Sequence, residues 1–508
     1  MKSYWRSVLL LGLFVLCTPH AHADVTLPAL ISDGMVLQQG TTVPLWGAAR
    51  DGEVVVVEFQ GQKVSATAKG GQWLVRLSPL KPGGPFTLTV SGQNRIELKN
   101  VLVGEVWVCS GQSNMAWRVN QSANAETEIA NAKYPQIRLF TVPRLEADVP
   151  VKTIKGSWKE CSPETVATFS AVGYFFGRDL HKARHVPIGL INSSVGGTPA
   201  EAWMSEAALK AYSERQQIIE EYEQKLARYN REMETFKIAA DKAKAESQPA
   251  PNQPSRAWKP VSLYNGMIAP LIPFAIKGVI WYQGEANSPR AYQYRTLFPA
   301  LIRNWRADWG AGDFPFLFVQ LAAVGPQGEL DTGRRGWPEL REAQLLTMQS
   351  VPKTGMAVSI DYGDREVHPI QKEPVGARLT LAARAIAYGE QIVYSGPIYQ
   401  AMKIEGSKIA LSFKHTGSGL ETRSGALQGV TIAGEDQVFH PAQAEIKGNQ
   451  VIVSSAEVTK PVAVRYAWTT YPLCNLYNKE GLPASPFRTD NWPGVTQPRA
   501  TIGTRLNR

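Results

Sequence analysis

Glu105-Val-Trp-Val-Cys109 runs directly into Ser110-Gly-Gln-Ser113-Asn-Met115. The first part is a short apolar run of the kind that forms a buried strand, and the second is a glycine-flanked turn that carries a serine. Four further runs have the same character: Ile188-Gly-Leu-Ile-Asn192, Gly278-Val-Ile-Trp-Tyr282, Phe316-Leu-Phe-Val-Gln320 and Met356-Ala-Val-Ser-Ile360. Helical stretches over 173–184, 291–309, 338–348 and 374–388 alternate with them. Such βα alternation predicts a parallel sheet covered on both faces.

The regions on either side follow a different pattern. Residues 24–100 hold short strand-like runs, such as Val54-Val-Val-Val-Glu-Phe59 and Trp73-Leu-Val-Arg-Leu77, separated by Gly-rich turns. That spacing predicts a small β-sandwich-like domain. The α/β unit is expected over 101–390, and residues 391–508 return to β-like alternation. One segment, 206–256, interrupts the α/β unit. In it Ile219, Tyr222, Leu226, Tyr229, Met233, Phe236 and Ala240 recur at spacings of three and four, which predicts a long amphipathic helix ended by a Pro-rich stretch. The helix is expected to be an arm packing on its own chain rather than a dimerising coiled coil.

Residues 1–23 read as a secretory signal peptide. Lys2 and Arg6 precede a short apolar run, and Ala21-His-Ala23 makes a small-x-small cleavage site. A bacterial periplasm or the medium is the expected address. The leader's apolar run is too short to span a bilayer, and the remainder of the 508 residues has no apolar stretch long enough to do so. At 19% charged and 44% hydrophobic residues the composition is that of a globular chain, not a disordered or fibrous one. The net charge of +10 is scattered, without like-charge runs or a nucleic-acid motif, so no nucleic-acid partner is expected. Cys109, Cys161 and Cys474 follow the leader, which allows at most one disulfide.

In an open α/β sheet the ligand site lies beyond the carboxyl ends of the strands. There the chain delivers Ser113, the pair Gly196-Gly197, Gln283-Gly-Glu285-Ala-Asn287, and Asp361-Tyr-Gly-Asp364-Arg-Glu366-Val-His368. These parts meet the needs of acyl transfer. A serine hydroxyl becomes a competent nucleophile when a histidine takes its proton. Backbone N–H groups and side-chain amides can hold the negative oxygen of the tetrahedral intermediate. Ser113 supplies the nucleophile and one N–H, Gly197 a second N–H, and Gln283 or Asn287 a side-chain amide. Of the five histidines after the leader, only His368 follows a core strand among acids, so it is the expected base.

The set Gly111-Gln-Ser113-Asn-Met115, Gly196-Gly-Thr198, Trp281-Tyr-Gln-Gly-Glu285-Ala-Asn287 and His368-Pro369 resembles the sialate O-acetylesterase family, a branch of the SGNH (GDSL-like) hydrolases. The stretch from Asn475 to Asp490 is similar to that family as well. The resemblance implies a three-layer, flavodoxin-like SGNH parallel sheet with accessory β domains. It further implies removal of O-acetyl groups from an acetylated carbohydrate, with no metal or organic cofactor. By position Ser113 matches the nucleophile, His368 the base, and Gly197 and Gln283 the oxyanion-hole positions. Gln283 stands where many SGNH enzymes have Asn. The usual acid lies three residues before the histidine, and Arg365 occupies that place here. Glu366 is therefore the expected third member, with Asp364 or a backbone carbonyl as the alternatives. Glu285, Asn287 and Asp364 are expected to support the site. A second departure is Ala116-Trp-Arg118, where relatives commonly carry an acidic residue and then Trp-Pro.

Other readings fit less well. An α/β-hydrolase would need a G-x-S-x-G elbow, which neither Ser113 nor Ser194 provides. No HExxH, paired CxxC or spaced calcium-loop ligands point to a metal. Within the esterase reading the acetylated sugar is either a sialic acid or a plant polysaccharide such as xyloglucan or xylan. A non-catalytic carbohydrate-binding protein on the same scaffold is the alternative from another class. The sequence leaves the oligomeric state open.

Overall fold

The computed structural model describes residues 24–328 and 336–498. The expected leader, 1–23, lies outside them. The centre is a run of seven strands within an 11-stranded sheet, built from β1 (Arg95–Gly111), β2 (Tyr134–Thr141), β3 (Lys159–Cys161), β4 (Ile188–Ser194), β5 (Gly278–Tyr282), β6 (Phe316–Val319) and β7 (Thr354–Ala357), in the order β7-β6-β5-β1-β4-β2-β3. Every neighbouring pair is parallel except β2 and β3.

The expected strands are present; β1 begins ten residues before the expected Glu105, and the other ends move by a few residues. Strands β2 and β3 are additions. Pro135 and the polar residues around it obscure the pattern of β2, a strand that its place near the sheet edge accommodates.

Apolar side chains pack on both faces of this sheet. Trp107 of β1 meets Phe176 of α2 (Ala171–Arg184) at 5.0 Å between ring centroids, the short helix α1 (Ser113–Ala116) preceding it in the chain. The long helix α3 (Arg215–Ala245) and then α4 (Ala291–Trp309) lie further along the chain. Trp281 of β5 meets Trp305 of α4 at 5.7 Å. Trp281 is registered with Ser110, three residues on from Trp107, so these two tryptophans lie on opposite faces. Helices α5 (Trp337–Ser350) and α6 (Glu373–Tyr388) complete the two helical layers.

The N-terminal β region is continuous with this sheet. Strand β1 runs unbroken across residue 100, pairing at its start with Gly83–Ser91 and Val36–Gln38 and later with β4 and β5. In Val54–Phe59, Val55, Val57 and Phe59 alternate inward, as a half-buried strand requires. The C-terminal region forms small antiparallel sheets around an apolar cluster of its own. Arg341 of α5 staples it to the centre: fully buried, it donates to the carbonyls of Leu321, Ala322, Thr469 and Thr470.

Helix α3 spans 31 residues, with Ile218 and Ala243 as its buried positions. The expected apolar seam is half-buried, and the Pro-rich segment after the helix folds back toward it, bringing Gln253 to Met233 at 3.9 Å. The three cysteines are free thiols. Among the described residues no helix is long and apolar enough to cross a membrane.

Candidate active site

Strand β1 lies between β4 and β5, although β2 follows it in the chain. Successive connections therefore leave β1 in opposite directions, and a crevice opens at the carboxyl ends of these three strands. Their register sets the height of what emerges. Gly111 is paired with Ser194 on one side and Tyr282 on the other. The segments carrying Ser113, Gly196-Gly197 and Gln283–Glu285 thus leave the sheet side by side.

Gly111 makes the turn after β1 possible. Its φ is +130°, and a Cβ there would lie 2.2 Å from the Tyr282 carbonyl oxygen. Ser113 follows as the first residue of α1. Its Oγ lies 2.8 Å from His368 Nε2. That contact closes a gap of 255 residues in sequence. Both residues line a cavity of about 710 Å³, together with Gln112, Gly196, Gly197 and Glu285. Its opposite wall comes from the root of α3 and the returning chain, through Ile218, Tyr222, Arg256 and Trp258.

Ser113 and Gly197 both line this cavity. Among the described residues neither the Ser113 N–H nor the Gly197 N–H has an acceptor. Gly197 holds a φ of +73°, where glycine carries no steric cost. Gln283 takes a different position. It is fully buried, and its amide donates to the Thr198 carbonyl at 3.2 Å and to Asn287 Oδ1 at 2.6 Å. Asn287 Oδ1 also accepts from Ala200 N–H at 2.9 Å. Gln283 and Asn287 thus brace the Gly197 loop from behind, with no donor directed into the cavity.

The imidazole of His368 stacks on Trp117 at 5.0 Å, with 24° between the planes. Burial and the nearby Lys372 ammonium push its pKa below the ordinary value, while Glu366 pulls the other way. His368 is therefore a free base at neutral pH. Glu366 is exposed and forms no hydrogen bond with His368. Asp364 is tied by its backbone to Ala323 and Gly325, and its carboxylate forms no hydrogen bond with His368. No carboxylate among the described residues bonds Nδ1. The remaining histidines lie elsewhere, with His181 on the Val186 carbonyl and His440 on Glu457.

Beneath the pair Glu285, expected from the sequence to support the site, is joined by Asn114 and Lys372, to which the sequence pattern assigned no role. Asn114 Nδ2 donates to Glu285 Oε1 at 2.6 Å and to the Val367 carbonyl at 3.0 Å. Lys372 Nζ donates to Asn114 Oδ1 at 2.5 Å. Burial raises the pKa of Glu285, whose Oε2 is shut off from solvent without a partner. Burial lowers that of Lys372 to about 7, against the opposing pull of Glu285. The resemblance left Asn114 without a role, and a lone lysine four residues past the histidine belongs to no recognisable pattern. Among the described residues no group of His, Cys, Asp and Glu is placed to hold a metal.

A hydroxyl bonded to a neutral imidazole, with two free N–H groups beside it, is chemically suited to ester cleavage. Similar proteins agree with that chemistry. The model of the carbohydrate esterase, sialic acid-specific acetylesterase family matches residues 103–240 and 253–373. The human sialate O-acetylesterase is 33% identical over 91% of this chain and 93% of its own length. The rat sialate O-acetylesterase is 33% identical over 90% of this chain and 93% of its own. A carbohydrate acetylesterase from Xanthomonas citri has a crystal structure that superposes with a TM-score of 0.79 at 41% identity, covering 92% of this chain and 100% of that one. Geometry and kinship converge: the chain belongs to the family of sialic acid-specific acetylesterases and is a carbohydrate O-acetylesterase.

Proposed function

We propose that the enzyme is a serine esterase of the SGNH type, with a three-layer flavodoxin-like core, in which Ser113 is the nucleophile and His368 the base. The observation that carries this reading is the 2.8 Å contact between Ser113 Oγ and His368 Nε2 on the cavity wall. His368 takes the Ser113 proton as Oγ attacks the acetyl carbonyl carbon. The carbonyl oxygen becomes an oxyanion between the Ser113 and Gly197 N–H groups. Collapse breaks the bond to the sugar oxygen, which leaves with the proton from His368, and the acetyl group stays on Ser113. Water, deprotonated by the same imidazole, then attacks the acetyl-enzyme and releases acetate. With no acid bonded to Nδ1 among the described residues, the pair works as a dyad whose ring stacks on Trp117.

The proposed substrate is an O-acetylated sialic acid. The similarity to sialate O-acetylesterases over nine-tenths of the chain supports it, and Tyr222 on the far wall places an aromatic ring beside the cavity. Residues 1–23 serve as an export leader, so the enzyme works outside the cytoplasm. The deciding experiment measures acetate release by the wild type and Ser113→Ala on O-acetylated sialic acid, acetylated xylan and acetylated xyloglucan. Release from the sialic acid by the wild type alone is expected. Full activity in Ser113→Ala would overturn the site, and preference for either polysaccharide would overturn the sugar.

A further inference from the structure

We propose that Lys372 is a positioning residue for the Ser113–His368 pair: through Asn114 it locks the segment of the base against that of the nucleophile. The inference rests on Ser113 and His368 being the reacting groups.

Lys372 is 1% exposed, an uncommon fate for a lysine. It sits at the start of α6, where its carbonyl accepts from Gly376 N–H at 3.1 Å, so the helix fixes where the side chain begins. The ammonium donates to Asn114 Oδ1 and lies 5.6 Å from the Trp117 ring centroid and 5.5 Å from that of Tyr282. These rings help to hold a cation out of water.

The bond to Asn114 decides which way that amide faces. A lysine ammonium only donates, so the end of Asn114 bonded to it is the oxygen. The nitrogen must then face Glu285 Oε1 and the Val367 carbonyl, as it does. Asn114 follows the nucleophile and Val367 precedes the base. One amide therefore ties the two segments, and Lys372 fixes its orientation. An acid on Nδ1 would hold the ring directly, whereas here the backbone beside the ring is held.

The charged and titratable groups around the pair are few. Lys372 reaches His368 from the start of α6, and Glu366 reaches it from the loop. Glu285, after β5, faces Lys372 through Asn114, and Tyr282 lies against the ammonium with a strongly raised pKa. A positive charge beside His368 disfavours imidazolium. Removing that charge must move the acid limb of the pH profile upward.

The test compares Lys372→Met with Lys372→Gln, using Ser113→Ala as the control for the reacting pair. Lys372→Met removes both donor and charge. Its plateau kcat is expected to fall about tenfold or more at nearly constant KM, with the acid limb of kcat/KM displaced upward. Lys372→Gln restores a neutral donor to Asn114. It is expected to recover most of the plateau while the acid limb stays displaced. A wild-type plateau in Lys372→Met, or an acid limb that stays in place in both variants, overturns the proposal. If Lys372→Met does not fold, Lys372→Gln decides by itself: a displaced limb upholds the role and an unmoved limb refutes it. Background activity in Ser113→Ala alongside wild-type behaviour in both lysine variants would refute the Lys372 role and leave the serine mechanism standing.

Discussion

The side-chain amide of Asn114 donates to the Val367 carbonyl at 3.0 Å, so the residue after Ser113 is bonded to the residue before His368. This contact joins the turn at the end of β1 to a loop more than 250 residues later. It places the hydroxyl and the imidazole within reach of each other, with no acid among the described residues on the imidazole's far nitrogen. Four predictions follow the consequences outward from that contact.

The rate should follow the free imidazole. Burial and Lys372 both lower the His368 pKa from 6.5, and Glu366 only partly opposes them. The neutral base therefore persists below pH 6.5 and is lost as pH falls through the lowered value. A kcat/KM profile measured from pH 4 to 8 should have its acid limb below 6.5. A limb above 6.5 would mean that imidazolium is stabilised.

Glu366→Gln should cost little. Glu366 acts on His368 through charge at a distance, because it is exposed and unbonded to the ring. Activity at neutral pH should stay within about threefold of wild type, against the roughly 10⁴-fold loss seen when an acid bonded to a catalytic histidine is neutralised. Losing a negative charge makes imidazolium harder to form, so the acid limb should move downward. That shift is opposite in sign to the one expected from the Lys372 variants.

Gly111→Ala should damage both fold and activity. A Cβ at 2.2 Å from the Tyr282 carbonyl oxygen cannot be accommodated, and φ at +130° is unfavourable for alanine. A loss of about 3 kcal/mol or more is expected in urea denaturation, since backbone strain adds to the clash. The residual folded enzyme should show a lowered kcat because Ser113 is displaced. Wild-type stability would mean that the turn re-forms another way.

Arg290→Met should unfasten the arm from the cavity floor. The Arg290 guanidinium bonds to Glu201, which is buried on the cavity wall, and to Glu221 of α3 at 2.8 Å. Removing it leaves Glu201 as an uncompensated buried charge, at a cost of about 3 kcal/mol. Substrate binding should weaken more than kcat, because Tyr222 and Ile218 on the same helix line the cavity. Thermal denaturation and steady-state kinetics on the acetylated sugar measure the two effects separately.

What the sequence determined by itself is local in origin. Apolar runs of strand length alternating with helical periodicity are enough to specify a parallel sheet, and the rule that ligands bind beyond strand ends points to Ser113, Gly197 and His368. Helix α4 is read to the residue because its apolar face repeats without interruption between clear ends. Tertiary structure decided the matters that depend on long-range partners. Gln283 looked like an oxyanion donor by position, yet its amide is consumed by Thr198 and Asn287. Glu366 stood nearest His368 in sequence, but successive loop residues point in different directions, and solvent claims it. Asn114 and Lys372 carried no pattern, because a buried amide and a buried ammonium gain meaning only from what the fold brings against them. Hydrophobic periodicity is written along the chain, whereas hydrogen bonds between residues 250 positions apart exist only once the sheet has aligned its strand ends.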